Sequence, residues 1–293
     1  MTHNAKLLPD KKAITALLAL PKPGIVALSL VACFTGLYIG AHGMPPTELL
    51  LWTMLGFGMA TAAGTTLNSF VDRDIDSKMK RTQGRPLPSG SVSANRAYLI
   101  GSALVVVSLL ILKVFVNDLA AILSGIAIFT YVVLYTILLK RRTPYATHIG
   151  GIAGALPPMV GYAAVTGTLD IKAFILFLVI VVWQQPHFWT LALKYREDYA
   201  AAGIPILPVA KGVWATKVRI FWYTLVLYPV SLLPYTVGIS GGYFLLTGIF
   251  LNLVCIYFTV RFVISAKDKE RFLFFFSIFY LTVLFGAMLL DIV

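Results

Sequence analysis

The sequence predicts an all-α polytopic membrane protein, with nine transmembrane helices around a central cavity and helix–loop caps on the cytoplasmic side. Three observations carry that prediction. Apolar runs of about 20 residues, enough to cross a bilayer as a helix, recur along the whole chain. Charged residues make up only 12% of it, against about 25% in a soluble domain, and mean hydropathy is +0.85. The basic residues, finally, fall almost entirely on one side of the resulting map.

The spans read as 23–41, 49–70, 97–116, 119–139, 147–166, 171–193, 219–238, 243–264 and 271–291. Runs such as AYLIGSALVVVSLLILKVFV are continuously apolar, whereas the strands of a membrane barrel alternate over about ten residues. Helices also satisfy their own backbone in lipid, where water cannot. The short connections leave no room for a separate soluble domain, so residues 1–293 read as one membrane-embedded domain. Ahead of the first span, AITALLAL is stopped by Pro21 and lacks a small-residue cleavage site. The first true span is therefore expected to be retained, with Lys11–Leu20 as a helix on the membrane surface.

The loops set the orientation. Lys6, Lys11, Lys12 and Lys22 precede span 1, and Arg73, Lys78, Lys80, Arg81, Arg85 and Arg96 lie between spans 2 and 3. Lys140, Arg141 and Arg142 follow span 4. Lys194, Arg196, Lys211, Lys217 and Arg219 follow span 6, and Arg261, Lys267, Lys269 and Arg271 follow span 8. That is 22 of 24 Lys and Arg on one side, with Lys113 and Lys172 on the other. By the positive-inside rule the N-terminus is cytoplasmic and the C-terminus outside. The net charge of +12 is therefore a topology signal first, and a nucleic-acid partner is a poor explanation of it. Cys33 and Cys255 lie in spans 1 and 8 without a CxxC partner, which argues against a structural disulfide or zinc site.

Chemistry concentrates in NSFVDRDIDSKMKRTQGRPL, residues 68–87, where the second span ends. Asn68, Asp72 and Asp76 are spaced i, i+4, i+8, within about 80° on one face of a continuous helix. Asp74 points the other way, toward solvent or a nearby arginine. Two carboxylates and an amide at a membrane boundary need a cation or a cationic cluster beside them. Hard oxygen ligands with a phosphate-bearing substrate favour Mg2+. Salt bridges to Arg73, Lys78 or Arg81 in an interfacial loop would also satisfy these acids, and the residues alone leave both readings open. RTQGRPLPSG then forms a turn that can carry Arg81 and Arg85 back over the helix mouth, where guanidinium groups suit diphosphate oxygens.

Span 6 answers with WQQPHFWTLALKYREDYAAAGIPILPV, placing Lys194, Arg196, Glu197 and Asp198 in the facing loop. One site built from two helix–loop units is the economical interpretation. His187, beside Pro186 and about two turns inside the helix, is either a functional intramembrane histidine or a helix–helix hydrogen bond. His148 reads as interfacial, and His3 and His42 as surface residues. Trp189 reads as an interfacial anchor.

Asn68-x3-Asp72-x3-Asp76 followed by RTQGRPL resembles the first motif of the UbiA family of intramembrane prenyltransferases. LKRRTPYATHIGG, GALPPMVGYAAVTG, the WQQPHFW segment and KPG at Lys22–Gly24 are similar to its haem-specific branch. The similarity runs in order through about Lys211, while the last three spans carry little specific signal. The second aspartate-rich motif of the aromatic-acceptor branches is missing after span 6. That puts a full second Mg2+ cage in doubt.

The resemblance implies transfer of the farnesyl group of farnesyl diphosphate to a vinyl group of haem b, giving haem O and diphosphate. Asn68, Asp72 and Asp76 would hold Mg2+, and Arg81, Arg85, Lys140, Lys194 and Arg196 would contact diphosphate. Asp198 would orient Lys194 or a second ion. Tyr135, Trp183, Phe188 and His187 would line the prenyl and haem pocket, with haem iron within reach of the histidine. A downstream haem-modifying enzyme or a terminal oxidase would receive the product, at a bacterial inner membrane. Two rivals fare worse. The D-x2-D-G-x2-A-R pattern of CDP-alcohol phosphotransferases is absent, and a transporter places its ionisable groups near the midplane rather than at one face. A quinone prenyltransferase is the nearer alternative, opposed by the missing second motif and by PHFW.

Overall fold

The computed structural model describes residues 11–265 and 269–293. His3, Lys6 and Lys267 lie outside the described residues. The helices are α1 Lys11–Ala19, α2 Pro23–Gly40, α3 Thr47–Val71, α4 Arg73–Asp76, α5 Ala94–Phe115 and α6 Asp118–Phe129. The last runs directly into a π-helix, Thr130–Leu139. Then follow α7 Ala146–Thr166, α8 Ile171–Lys194, α9 Arg196–Ala201, α10 Leu207–Ala210, α11 Val213–Thr236, α12 Gly242–Ile264 and α13 Glu270–Leu290. Among the described residues, eight helical stretches are long and apolar enough to cross a membrane, α6 and the π-helix counting as one. The protein is thus a multi-pass helical membrane protein.

The count of nine is not reached on that criterion, because α11 falls outside it. This helix starts at Val213, six residues before the expected boundary, so Lys217 and Arg219 sit in its first turns. Pro229, Pro234 and several hydroxyls lower its apolarity further, although it is 24 residues long and packs between α8 and α12. The other boundaries fall within about three residues of the expected ones.

Local signals explain the helix ends. Asn117 accepts a hydrogen bond from Ala120 N at 2.8 Å, and Asp170 accepts from Lys172 N and Ala173 N, so both start helices. Gly167, at φ 67°, closes α7 in the left-handed conformation that glycine adopts without cost. Connections at one end of the bundle are short, at 41–46, 116–117, 167–170 and 237–241. Those at the other end include 72–93 and 195–212, and it is there that the polar motifs collect.

The core forms on both sides of α7, where 67% of an 18-residue stretch is buried, the highest share among the eight candidate spans. One cluster joins α7 and α8 to α11, α12 and α13, and a second joins it to α2, α3 and α6. Small residues permit this. A Cβ added at Gly161 would lie 1.9 Å from Cys33 O, and one at Gly36 would lie 1.9 Å from Pro158 O. The backbones of α2 and α7 therefore touch, and close approach of this kind replaces the hydrophobic drive that lipid removes.

Gly161→Val is expected to destabilise the fold by at least about 3 kcal/mol, because backbone, not a flexible side chain, occupies the space. Thermal unfolding in detergent checks this. Gly24→Ala, which meets nothing within 4 Å, should stay within about 0.5 kcal/mol of the parent. Equal midpoints for both variants would contradict the packing argument.

Candidate active site

The acid column does not lie on one continuous helix. α3 ends at Val71, Asp72 is a junction at φ −84° and ψ 2°, and α4 is a single turn. Asp72 and Asp76 turn inward while Arg73 and Asp74 turn out, and backbone bonds from Asp72 N to Asn68 O and from Asp76 N to Asp72 O carry the column across the junction. Asn68, Asp72 and Asp76 nevertheless share one side and are 3%, 2% and 4% exposed. Burial this deep demands counter-charge.

The chain supplies that charge itself. Lys140 Nζ lies 2.5 Å from Asp72 Oδ2, and Arg85 Nη1 lies 2.8 Å from Asp76 Oδ2. Lys22 Nζ donates to Asn68 Oδ1 at 2.5 Å, and Asn68 Nδ2 donates to both Asp72 Oδ2 and Thr136 Oγ1. The cations are not those of the simple loop alternative. Arg73 caps Phe70 O at 2.7 Å, and Arg81 stacks elsewhere. Burial opposes the charge on Lys140, but Tyr135 and the Asp72 carboxylate outweigh it and raise its pKa. Lys22 is pushed down to about 7, first by burial and then by Arg85 and Lys140.

Lys22 reaches the column at a conformational cost. It adopts φ 52° and ψ 69°, a left-handed conformation that costs a non-glycine residue roughly 1–2 kcal/mol. Thr65 holds it there by donating to Pro21 O at 2.6 Å, and Thr65 lies three residues before Asn68 on α3. In the sequence Lys22 stands out only as one of the orienting cations and as part of KPG. The signal was a lysine fixed between two prolines at the mouth of a span.

The π-helix delivers the third side of the site. Lys140 N bonds to Tyr135 O at 2.8 Å, an i to i+5 closure that lays the ammonium over the Tyr135 ring at 6.0 Å. Tyr131 and Tyr135 stack at 5.8 Å, and Tyr135 packs against Gly150 of α7, where a Cβ would clash at 2.7 Å. Beside it Asp74, which is exposed, grips Arg141 through two hydrogen bonds of 2.7 and 2.8 Å. That bond to Arg141 lowers the pKa of Asp74 and raises that of its partner.

The two polar loops meet. Ile75 and Met79 pack on Ile204, and Arg81 N donates to Asp198 Oδ2 at 3.2 Å. The Arg81 and Lys194 cations each lie 4.9 Å from the Tyr195 ring centre. Asp198 thus orients the Arg81 loop and does not pair with Lys194, because the helix breaks at Tyr195 between them. Arg196 is exposed on the first turn of α9.

The aromatic candidates divide. Tyr135 is in the site. Trp183 and His187 instead face α13: Trp183 Nε1 donates to Ser277 O, and His187 stacks between Trp183 and Phe274. Ser277 Oγ donates to Phe274 O, so the 2.7 Å contact from His187 Nδ1 is a donation, leaving Nε2 as the open nitrogen. The helix–helix hydrogen bond is therefore present. Phe188 is 38% exposed and lies against the His187 ring, at 5.7 Å between centres. Trp189 is corrected. At 1% exposure, against His148 and Tyr223, it is core and not an interfacial anchor. Gln184 and Gln185, which no sequence motif singles out, are both buried against α7, with Gln184 Nε2 donating to Gly151 O at 2.6 Å.

Whether the column suits a metal can be judged from its donors. Asp72 Oδ1 is fully buried without a hydrogen-bond partner, a costly state that a cation would relieve. Amide and carboxylate oxygens fit Mg2+. No three His, Cys, Asp or Glu gather into a cage among the described residues, so substrate oxygens and water would complete the coordination.

An all-helical membrane bundle with acids and lysines buried at one helix mouth defines a class: intramembrane enzymes that handle anionic leaving groups. The chain belongs to the UbiA prenyltransferase family, whose pattern it matches over residues 29–284. It is 49% identical over 283 residues to the protoheme IX farnesyltransferase of Aquifex aeolicus, covering 97% of each chain. Against the protein of that name from Neorickettsia sennetsu it is 41% identical, covering 96% of this chain and 94% of the relative. Its fold is similar to a solved digeranylgeranylglyceryl phosphate synthase, at TM-score 0.80, 20% identity and coverage of 96% and 98%. It also resembles a UbiA homolog from Archaeoglobus fulgidus bound to GPP and Mg2+, at TM-score 0.60, 17% identity and coverage of 93% and 99%.

Lys22→Gly is expected to keep the left-handed turn and to lower prenyl transfer on the order of a hundredfold, with Lys22→Arg retaining most activity. Steady-state turnover checks both. Turnover of Lys22→Gly within about threefold of the parent would contradict a role for the ammonium.

Proposed function

We propose that this chain transfers the farnesyl group of farnesyl diphosphate to a vinyl group of haem b, giving haem O and diphosphate. The observation that carries the reading is the 49% identity to a protoheme IX farnesyltransferase along 97% of both chains. Haem b and farnesyl diphosphate are its substrates, the bilayer its solvent, and Mg2+ its metal. The whole chain acts as one domain, with α11 as a ninth span, in a bacterial inner membrane. The N-terminus and the polar loops are cytoplasmic, in keeping with the one-sided charge.

Asn68, Asp72 and Asp76 would hold Mg2+, which would supply charge neutralisation to the diphosphate oxygens as they depart. Lys22, Arg85 and Lys140 turn from the acid column to the diphosphate, joined by Arg81 of the same loop as Arg85 and by Lys194 and Arg196 from the facing side. These cations stabilise negative charge as the allylic carbon–oxygen bond breaks. The Tyr131 and Tyr135 rings offer π-faces to the allylic cation, and the buried column keeps water from it. The vinyl carbon then forms the new carbon–carbon bond. Water adds to the resulting haem-side cation, and its proton leaves with the diphosphate. Acceptor recognition falls to α8, where His187 presents Nε2 as an iron ligand beside Trp183. Haem O then passes to a haem-modifying enzyme or a terminal oxidase.

Purified protein incubated with haem b, farnesyl diphosphate and Mg2+ is expected to yield haem O by mass. Asp72→Asn should lower turnover by about a thousandfold or more while the protein stays folded. Prenylation of a phenolic acceptor without haem O would overturn the acceptor assignment. Near-parent activity of Asp72→Asn would overturn the metal role.

A further inference from the structure

Two neighbouring acids grip two neighbouring bases at the site mouth. Asp72, turned inward, meets Lys140, and Asp74, turned outward, meets Arg141. The outer grip is a bidentate fork, with Nη1 on Oδ2 at 2.8 Å and Nη2 on Oδ1 at 2.7 Å. The same guanidinium donates to Val71 O at 3.1 Å, the last residue of α3. Arg141 therefore ties the end of the π-helix to the break between α3 and α4 at both sides of that break. An isolated exposed ion pair contributes little, but a planar fork with a third backbone bond fixes geometry.

Lys140 needs such a fixture. It is the first residue after the π-helix, and a turn follows in which Arg142 N and Thr143 N both bond to Leu139 O. Its own backbone is held toward the site by the single bond to Tyr135 O. The long side chain has many rotamers, and its useful position depends on where its Cα stands relative to Asp72.

We propose that Asp74 and Arg141 are positioning residues whose ion pair sets Lys140 against the acid column, and so fixes a cation that meets the substrate diphosphate. This rests on the prenyl-diphosphate reading above. Neither residue touches the substrate. Asp74 owes its role to facing away from the column, which gives it an arginine one residue beyond the lysine that Asp72 holds.

The test uses the full chain in lipid nanodiscs and farnesyl thiodiphosphate, a slowly ionising analogue, with Mg2+. Asp74→Asn and Arg141→Gln are each expected to weaken analogue affinity on the order of tenfold, with thermal unfolding nearly unchanged. Exchanging the charges, Asp74→Arg with Arg141→Asp, should recover most of the loss. In a Lys140→Met background, Asp74→Asn should cost nothing further, since its effect passes through Lys140. Should the charge-neutral variants fail to fold, Arg141→Lys keeps the charge, loses the fork and should still weaken binding. Parent-like affinity of Asp74→Asn, or an equal loss in the Lys140→Met background, would overturn the clamp. A parent chain that binds no analogue would overturn the prenyl-diphosphate reading and the clamp with it.

Discussion

Everything at the mouth of this bundle follows from the burial of Asp72 and Asp76. A carboxylate at 2% or 4% exposure is not tolerated alone, so each draws a cation from another part of the chain. Lys140 comes to Asp72 from the end of the π-helix and Arg85 to Asp76 from the long loop, while Lys22, from before the first span, donates to Asn68 beside them. Three segments far apart in sequence are thereby fixed to one column. What holds the resting site together is the same charge complementarity that a diphosphate would exploit. A ligand with more negative charge than two carboxylates can compete for the lysines and arginine.

The apolar frame makes that exchange possible. Glycines on α7 let α2 come into backbone contact and give Tyr135 a seat at Gly150. The π-helix then sets Tyr131 and Thr136 against α3 and Tyr135 against α7, and ends with Lys140 over an aromatic face. Such turns sacrifice regular hydrogen bonding and concentrate at functional places. The two loops close over this by modest means: an apolar contact among Ile75, Met79 and Ile204, one hydrogen bond to Asp198, and two cations on Tyr195. Weak, replaceable contacts suit a cap that must admit substrate.

Much of the fold was legible because bilayer length and apolarity are encoded locally. Boundaries such as 171–193 against Ile171–Lys194 required no tertiary information. α11 was displaced because Lys217 and Arg219 look like loop residues, yet Lys217 is buried and caps α12 at Ser265 O. The acid column was legible from its i, i+4, i+8 spacing, and its junction at Asp72 was not, since no residue type or periodicity marks a change of backbone dihedral there. Lys22, Thr136 and the glutamines were invisible for a related reason. Their roles depend on which helix lies opposite, and no periodicity reports that. Trp189 shows the converse error, in which an aromatic near a basic boundary suggests an anchor while α7 and α11 in fact enclose it.

The central claim is that the chain's own cations neutralise the buried acids, and thermal unfolding of Lys140→Met tests it most directly. Removing one partner of a buried pair should cost about 3–5 kcal/mol. Adding Asp72→Asn to the same chain should restore most of that stability, because no unpaired charge then remains. Losses that simply add, or a Lys140→Met chain as stable as the parent, would contradict the account.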